Sequence, residues 1–310
     1  MSKKKYIVSV DGGGTKTQFC ILDISSGEKK YFTFGSSNYK VTGLEETEKN
    51  LIHAFNEIIQ EIDLNIEDIA GMVFGLSGLD TPIDYKLYGN LVDKLKIERN
   101  KIYICNDSEL AFYSEGTIPG IVVVAGTGSI SYGMDFHKKL RVGGWGSPIS
   151  DLGSGCWIGI EVLKDTIKYC DGYLSFKSVF KDIRDFYGAE SYEALLFNLS
   201  EYQNRDIAAL AKIVCEHAYK GDTYCNCLVE QGARHVAEMA ASVYNKMNFP
   251  DRKTIDVVLA GSLFKNRIYE YNFKKYFLQF IGNDNIKFKM SVLNPVDGGI
   301  KLGLKKFHNY

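Results

Sequence analysis

The chain has 310 residues, more than one hydrophobic core usually serves, and this length favours two domains. Hydrophobic residues make up 45% and charged residues 24% of the sequence, which is typical of a folded globular protein. The formal net charge of −1 gives no electrostatic reason to expect nucleic acid as a partner, and no apolar run is long enough to span a bilayer. We therefore expect a cytoplasmic protein that binds neither nucleic acid nor a membrane.

The first motif is an apolar strand that runs into Asp11, three glycines and two threonines, followed at once by a second strand-like run over 18–22. This pattern predicts strand, glycine turn and strand, whereas a Rossmann site or a P-loop would open a helix after its glycines. Backbone N–H groups in such a turn, with the hydroxyls of Thr15 and Thr17, could cradle a phosphate. Asp11 beside a phosphate indicates Mg²⁺ held partly through water. The alternative is an ordinary hairpin with an incidental acid.

Strands and helices then alternate as far as residue 117. A polar turn ends at Asn38, and the remaining pattern predicts a helix over 45–63, a strand over 70–74, a helix after Pro82 and a strand over 101–105. Asn106 and Asp107 follow that last strand. The alternation predicts a mixed α/β domain over 1–117. Asp107 has two interpretations, a helix N-cap or a functional carboxylate at a strand end.

The pattern restarts in the second half of the chain, which we predict to form a second domain over 118–310. An apolar strand over 121–125, a glycine-hydroxyl turn over 126–129 and a strand over 130–134 repeat the opening hairpin. We therefore expect two related halves, each with a phosphate-binding turn. A glycine-dense loop over 142–155 surrounds Trp145 and Asp151, which is typical of backbone that approaches a ligand closely.

The rest of the second half is predicted to be mainly helical before it returns to strands. Helices dominate 156–246, and we interpret their apolar stripes, including Ala208 and Ala211, as core. A strand over 254–260 runs into Gly261 and Ser262, where the start of a helix could hold polar or anionic ligand atoms. A strand over 286–293 and a closing helix over 295–307 complete the pattern.

Several of these motifs, taken in chain order, resemble one known family. They are the DGGGT turn at Asp11, the strand end at Asp107, the AGTGS turn over 125–129, the GGWG loop with Asp151, and the LAGS motif that ends at Ser262. Together they resemble the N-acetylglucosamine kinase branch of the BadF/BadG/BcrA/BcrD-type ATPases, in the actin, hexokinase and Hsp70 superfamily. The resemblance covers about residues 6 to 303.

The resemblance implies an α/β fold of two actin-like, ribonuclease H-like domains, each a mixed sheet flanked by helices, with a nucleotide and sugar cleft between them. It implies ATP and Mg²⁺ as cofactors, an amino sugar as the small-molecule partner, and a homodimer. The implied reaction is phosphorylation of N-acetylglucosamine or N-acetylmuramic acid, at the 6-hydroxyl. Which amino sugar is preferred stays open.

Residue by residue, the resemblance implies that Asp107 is the general base and a substrate contact, and that Asp11 binds Mg²⁺, partly through water. It assigns the sugar to Asn38, Ser129, Ile130, Gly144, Trp145, Gly146, Ser147 and Asp151. It assigns ATP to Gly13, Gly14, Thr15, Lys16, Thr17, Gly126, Thr127, Gly128, Gly261, Ser262 and Asn266. A turn-forming role for Asn38 and a core role for Trp145 are the competing interpretations. Ser147 stands where some relatives carry a bulkier residue, which could shift substrate choice.

An alternative function is the ATPase activator of a 2-hydroxyacyl-CoA dehydratase-type enzyme, which shares the nucleotide fold and holds an iron–sulfur cluster through cysteines. Cys156 and Cys170 do not lie in the local motifs of that cluster, and the GGWG loop is similar to that of the sugar branch. The seven cysteines contain no CxxC pair. Cys225 and Cys227 form a weak metal signal, and reduced thiols are the expectation.

Overall fold

The computed structural model describes residues 5–197, 202–249 and 254–308. The chain forms two compact units. The first extends to Thr117 and also includes the segment from Ser291 onward, and the second runs from Ile118 to Met290. None of the helices in these described ranges is long and apolar enough to cross a membrane.

The first unit is built on a five-stranded mixed sheet. Its strands are β1 (Tyr6–Gly12), β2 (Thr17–Asp23), β3 (Lys29–Phe34), β4 (Ile69–Leu76) and β5 (Ile102–Asn106), in the order β3-β2-β1-β4-β5. β2 pairs antiparallel with β1 and β3, whereas β4 pairs parallel with β1 and β5. The helices of this unit are α1 (Tyr39–Thr42), α2 (Leu44–Ile62), α3 (Pro82–Asp93), α4 (Asp107–Glu115) and α11 (Pro295–Phe307).

The second unit repeats this sheet. Its strands are β6 (Gly120–Ala125), β7 (Ser129–Met134), β8 (Lys139–Gly143), β9 (Ile255–Ala260) and β10 (Ile286–Met290), in the order β8-β7-β6-β9-β10. Its helices are α5 (Gly155–Cys170), α6 (Ser178–Phe186), α7 (Tyr192–Phe197), α8 (Asn204–Tyr219), α9 (Thr223–Met247) and α10 (Arg267–Ile281). The pairing directions match those of the first sheet strand for strand. The predicted internal repeat and the predicted class of two mixed sheets flanked by helices are thereby confirmed.

Each unit has its own apolar core, and the strands that carry it are the ones that the sequence predicts. In the first unit, Val10 and Phe74 on the central strands pack with Phe55 of α2, and all three are buried. In the second unit, Val123 of β6 and Leu259 of β9 belong to a core that includes the helices from α5 to α10. Burial of long apolar side chains on both sides of central strands is the main stabilising term of such layered folds.

The last helix belongs to the first unit, which corrects the predicted range of 118–310 for the second domain. α11 lies so close to α4 that a methyl group at Gly298 would overlap the Leu110 carbonyl group. Asp297, in its first turn, accepts hydrogen bonds from Lys29 Nζ at 2.7 Å and from the Tyr31 hydroxyl at 2.8 Å. Because a helix can pack wherever its small residues fit, chain order alone does not assign α11 to a domain.

Candidate functional site

The first glycine turn joins β1 to β2 as a hairpin. Gly13 N–H donates to the Lys16 carbonyl at 2.9 Å, and Gly14, Thr15 and Lys16 at the tip are exposed. Thr17 is only 2% exposed, and its hydroxyl lies 2.7 Å from the Gly35 carbonyl and 2.8 Å from Ser37 Oγ. The tip therefore presents backbone and side-chain donors, whereas the hydroxyl of Thr17 already has partners inside the unit.

Asp11 lies in the sheet just before this turn, opposite Gln18 on β2 and Gly75 on β4. Burial, and next the negative charge of Asp107, raise the pKa of Asp11 to about 7, while Lys16 acts in the opposite direction. A carboxyl group whose ionisation is disfavoured by burial and by a second carboxylate gains the most from a nearby cation. The surroundings of Asp11 therefore fit a divalent cation such as Mg²⁺.

Asp107 is the first residue of α4, at the carboxyl end of β5. The preceding residue, Asn106, caps the helix, because its side chain accepts a hydrogen bond from Ser108 N–H at 3.0 Å. The alternative role predicted for Asp107, the helix N-cap, is thus filled by its neighbour. Burial raises the pKa of Asp107 to about 6, against hydrogen bonds from Ser108 that lower it, and the charge of Asp80 raises it further. A carboxyl group with this pKa is mostly ionised at neutral pH and can accept a proton.

Asn38 lies beside the loop that follows β4. Its Nδ2 donates to Ser77 Oγ at 3.1 Å, and its Oδ1 accepts from Lys40 N–H at 3.0 Å, so it also caps α1. The sequence analysis missed Ser77 and the α3 residues Asp84 and Tyr88 that hold this region together. Asp84 could have been found, since the spacing of Thr81 and Asp84 at the start of a helix is that of a capping box.

The second glycine turn joins β6 to β7 and lies beside the loop that follows β9. Gly126 N–H donates to the Gly128 carbonyl at 2.9 Å. β6 and β9 are parallel neighbours, so their carboxyl ends meet at one edge of the sheet. Gly261 has a φ of +101°, and a methyl group there would overlap the carbonyl group of Ala125. Only glycine allows the two loops to approach this closely.

Next to these two loops, the second unit contains a cavity of about 810 Å³. Its lining combines predicted ATP contacts from both loops, namely Gly126, Thr127, Ser262 and Asn266. The remaining predicted contacts of this unit, Gly128 and Gly261, belong to the same loops. Lining residues that were not predicted as a site come mainly from α5, α8 and the start of α10: Gly155, Arg205, Ala208, Ala209, Ala211, Lys212, Cys215, Glu216, Tyr219, Lys220, Leu263, Lys265 and Arg267.

The small residues of α8 explain why this wall was missed. Leu210 and Val214 are fully buried in the core, as predicted, but Ala208 and Ala211 line the cavity instead of only filling the core. A methyl group at Gly155 would lie 3.2 Å from the Ala208 carbonyl oxygen, so α5 and α8 cross closely. A stripe of alanines beside a glycine of another helix is therefore the signal that would have indicated this wall.

The glycine-dense loop after β8 displays Trp145. Its indole ring is 69% exposed, and the guanidinium carbon of Arg141 lies 3.8 Å from the ring centre. Gly144 and Gly146 have φ values of +72° and +97°, which glycine adopts without strain. The ring is thus not a core residue: one cation stacks on it and much of its surface faces solvent. Ser147, the next residue, forms a side-chain hydrogen bond with Cys156.

Asp151 connects this loop to the second glycine turn. Burial raises the pKa of its carboxyl group, while hydrogen bonds from the backbone of Ser129 and of Gly146 lower it. The Ser129 hydroxyl donates to the Leu152 carbonyl at 2.8 Å, and a methyl group at Gly144 would lie 2.7 Å from Ile130 Cδ1. The predicted sugar residues of this unit therefore form one connected group. Neither Trp145 nor Asp151 belongs to the lining of the cavity.

Comparison with known proteins assigns the chain to a family. Residues 8–298 match the BadF/BadG/BcrA/BcrD ATPase family. The chain belongs to this family. A protein named N-acetylmuramic acid/N-acetylglucosamine kinase from Clostridium acetobutylicum is 29% identical over 88% of this chain and 90% of its own length. A protein named N-acetyl-D-glucosamine kinase from Dictyostelium discoideum is 27% identical over 83% of this chain and 85% of its own length.

A solved structure of a candidate N-acetylglucosamine kinase from Chromobacterium violaceum has the same fold. It superimposes with a TM-score of 0.74 at 22% identity, covering 97% of this chain and 99% of that one. The family and the fold that the motifs predict are therefore confirmed. The relatives described above carry kinase names, and they lend no support to the dehydratase-activator alternative.

The cysteines of this family member are free thiols throughout the described residues. Cys225 is buried and Cys227 is exposed, so the two neighbours on α9 do not face a common ion. His217, Asp222 and Cys225 bring their polar atoms within 4.8 Å of one another. Two of the three have other partners, since His217 Nε2 lies 2.7 Å from Asp182 and Asp222 accepts the Cys225 N–H at 2.8 Å as the cap of α9. Burial also raises the pKa of the Cys225 thiol, which disfavours the thiolate that a metal requires.

Proposed function

We propose that this chain is an ATP-dependent amino-sugar kinase that transfers the γ-phosphoryl group to a hydroxyl of N-acetylglucosamine or N-acetylmuramic acid. The observation that carries the proposal is the 810 Å³ cavity of the second unit, where the second glycine turn and the loop with Ser262 and Asn266 meet. These are two of the three motifs that the sequence resemblance assigns to ATP, and that assignment does not depend on the cavity. The kinase names of the two relatives support the acceptor class.

The nucleotide part of the proposal rests on the chemistry of the cavity wall. Thr127 and the backbone of the second turn offer donors to phosphate, while Ala208 and Ala211 give an apolar surface for a base. Arg205, Lys265 and Arg267 add positive charge, and none of them has an ion-pair partner within 4 Å among the residues that the structure describes. Positive charge of this kind compensates the phosphates of ATP.

The acceptor part of the proposal rests on Asp107. In this role its carboxylate removes the proton of the attacking hydroxyl, and a pKa of about 6 leaves it ionised at neutral pH. Asn38, Trp145 and Asp151, with Ser129, Ile130, Gly144, Gly146 and Ser147 around them, are proposed to bind the sugar. Asp11 would hold Mg²⁺, which when bound neutralises charge on the phosphates. Gly13, Gly14, Thr15 and Lys16 at the first turn are proposed to contact the nucleotide, whereas the buried Thr17 supports that turn.

The test is a coupled ADP-release assay with Mg·ATP and N-acetylglucosamine, N-acetylmuramic acid, glucosamine, N-acetylmannosamine or glucose. We expect release that depends on one or two N-acetyl sugars. Omission of Mg²⁺ should abolish it. ATP hydrolysis at the same rate with and without sugar would contradict the kinase, and the 6-deoxy analogue of the best sugar tests the acceptor hydroxyl, because phosphorylation of that analogue would exclude O6.

A further inference from the structure

Both polar ends of the Asn38 amide already have partners in the first unit. Its Nδ2 donates to Ser77 Oγ, and its Oδ1 accepts from Lys40 N–H. An amide has two donor hydrogens and two acceptor lone pairs, so one donor and one acceptor remain for a ligand. The direction in which they point is set by the loop over 35–40 and the loop over 77–81. Whatever holds these two loops together therefore orients Asn38.

The Tyr88 hydroxyl lies between the two loops. Tyr88 is fully buried on α3, and its hydroxyl oxygen lies 2.9 Å from the Ser37 carbonyl and 3.2 Å from the Ser77 carbonyl. The same oxygen accepts from Tyr39 N–H at 3.4 Å. One phenol thus contacts the residues on both sides of Asn38 and also the backbone of its Ser77 partner.

Asp84 lies one turn earlier on the same face of α3 and is 3% exposed. Its carboxylate accepts from the Tyr39 hydroxyl, from Asp80 N–H at 2.8 Å and from Thr81 N–H at 2.6 Å. Lys40 Nζ lies 3.4 Å from it. Burial acts to raise the pKa of Asp84, but the hydrogen bonds from Tyr39, Asp80 and Thr81 lower it to about 2. The group is therefore an anion at every pH where an enzyme would be assayed.

The packing of α3 does not need the Tyr88 hydroxyl or the Asp84 contacts outside the helix, although Asp84 also caps the start of the helix. The helix starts with Pro82 at a favourable position, and Leu91 and Val92 bury its apolar face in the core of the first unit. The ring of Tyr88 fills core space that a phenylalanine would fill equally well, so its hydroxyl serves the loops. The same argument holds for the Asp84 contacts to Tyr39 and Lys40, which lie outside α3.

We propose that Asp84 and Tyr88 are positioning residues that fix the substrate amide of Asn38, and that α3 thereby sets the affinity for the sugar without touching it. This inference rests on the proposed sugar role of Asn38. It assigns a function to a helix that contributes no predicted ligand contact. Both side chains bond the residues next to Asn38, whereas the cavity proposed for the nucleotide lies in the second unit. Ser37 N–H also donates to the Gly13 carbonyl at 3.3 Å, beside the first turn, so we expect a large effect on sugar binding and a smaller one on nucleotide binding.

The experiment measures KM for the sugar and for ATP, together with the melting temperature, in Tyr88→Phe and Asp84→Asn. For Tyr88→Phe we expect the sugar KM to rise about tenfold, as for the loss of one buried hydrogen-bond network, and the ATP KM to rise by no more than about twofold to threefold. Tyr85→Phe, on the same helix with an exposed side chain, is the matched control and should change neither KM. If Asp84→Asn does not fold, Tyr39→Phe removes the same hydrogen bond from the partner side.

The outcomes separate this inference from the proposed function. An unchanged sugar KM in a folded Tyr88→Phe protein, with or without a lower melting temperature, would overturn the positioning role while the kinase stands. An equal rise of both KM values would also overturn it, because a general loosening of the fold would then suffice. If the unchanged chain releases no ADP with any sugar, the proposed function fails, and the sugar role of Asn38 on which the inference depends fails with it.

Discussion

The two units have the same strand order, yet they differ in the residues at the carboxyl ends of their strands. In the first unit, β1 and β5 lead to Asp11 and Asp107, two carboxyl groups whose pKa values are raised to about 7 and about 6. In the second unit, β6 leads to a neutral glycine turn, and the loops there border a cavity with basic residues in its wall. The comparison teaches that topology decides where loops meet, while the side chains on them decide which chemistry is available.

The largest expected effect comes from replacing the proposed base, which tests the role of the carboxyl groups in the first unit. Asp107→Asn should lower turnover in the ADP-release assay by about two orders of magnitude or more, because the acceptor hydroxyl loses its proton acceptor. Sugar affinity measured by calorimetry should change by only a modest factor. Asp93→Asn, at an exposed acid of α3, is the control and should leave turnover intact. Equal losses in affinity and turnover would make Asp107 a substrate ligand instead of a base.

The proposed nucleotide site of the second unit is tested by adding a side chain where the loops after β6 and β9 touch. Gly261→Ala places a methyl group against the Ala125 carbonyl and should raise the KM for ATP about tenfold, because the loops must separate. Gly282→Ala is the matched control, since this glycine also has a positive φ, of +61°, but no atom lies within 4 Å of the added carbon. It should cost about 1 kcal/mol of stability and leave the KM unchanged. Similar KM values for the two variants would contradict the assigned nucleotide site.

The pH dependence of turnover tests the role of the carboxyl groups in the first unit. The logarithm of kcat/KM should rise with pH to a plateau, with a midpoint near the pKa of Asp107 of about 6, because only the carboxylate accepts a proton. Asp80→Asn should move the midpoint to lower pH, since the charge of Asp80 raises the pKa of Asp107. A flat profile, or a midpoint that Asp80→Asn leaves in place, would show that another step limits the rate.

The smallest expected effect is on stability. The pKa of Asp107 is raised in the folded state, so the folded chain binds the proton more tightly than the unfolded chain. Ionisation therefore costs stability as the pH rises from about 4 through about 6, and Asp107→Asn should raise the melting temperature by a few degrees near pH 7.5 and by clearly less near pH 4.5. Asp185→Asn should show no such gain at the higher pH, because ion pairs with Lys181 and Arg184 lower the pKa of Asp185. Thermal scans of both variants at the two pH values test this expectation, and an equal gain for Asp107→Asn at both pH values would contradict it.

The strands that the sequence analysis did not identify occupy the same place in both units. β3 and β8 are edge strands, and each begins with a lysine that faces solvent. An edge strand has one neighbour and limited burial, so its residues need not form an apolar run. β1, β4, β6 and β9 lie inside their sheets and carry the apolar runs that were recognised. β5 and β10 are edge strands too, and they were identified because their apolar residues continue or alternate along the strand. The apolar pattern, more than the place in the sheet, therefore decided whether a strand could be identified from the sequence.

The candidate site divides in a similar way. Asp11, Asp107 and the second turn were found because polar or glycine residues directly follow an apolar run of a strand. Tyr88 was not, because a buried tyrosine in a helix has the same pattern as any core residue, and its hydroxyl finds Ser37 and Ser77 only when distant segments pack. The wall of α8 was interpreted as core for the same reason, since small apolar residues line a cavity and fill a core equally well.

The sequence by itself determined the two mixed sheets, the repeated hairpin and the ordered motifs of the family, because hydrophobic periodicity and glycine turns are local properties of the chain. The tertiary structure alone decided three further points. First, α11 packs in the first unit. Second, Asn106 caps α4, so Asp107 is not needed as the cap. Third, the loops after β6 and β9 line the same cavity. Each depends on contacts between segments far apart in the chain, and such contacts are set by the shape and packing of the folded units.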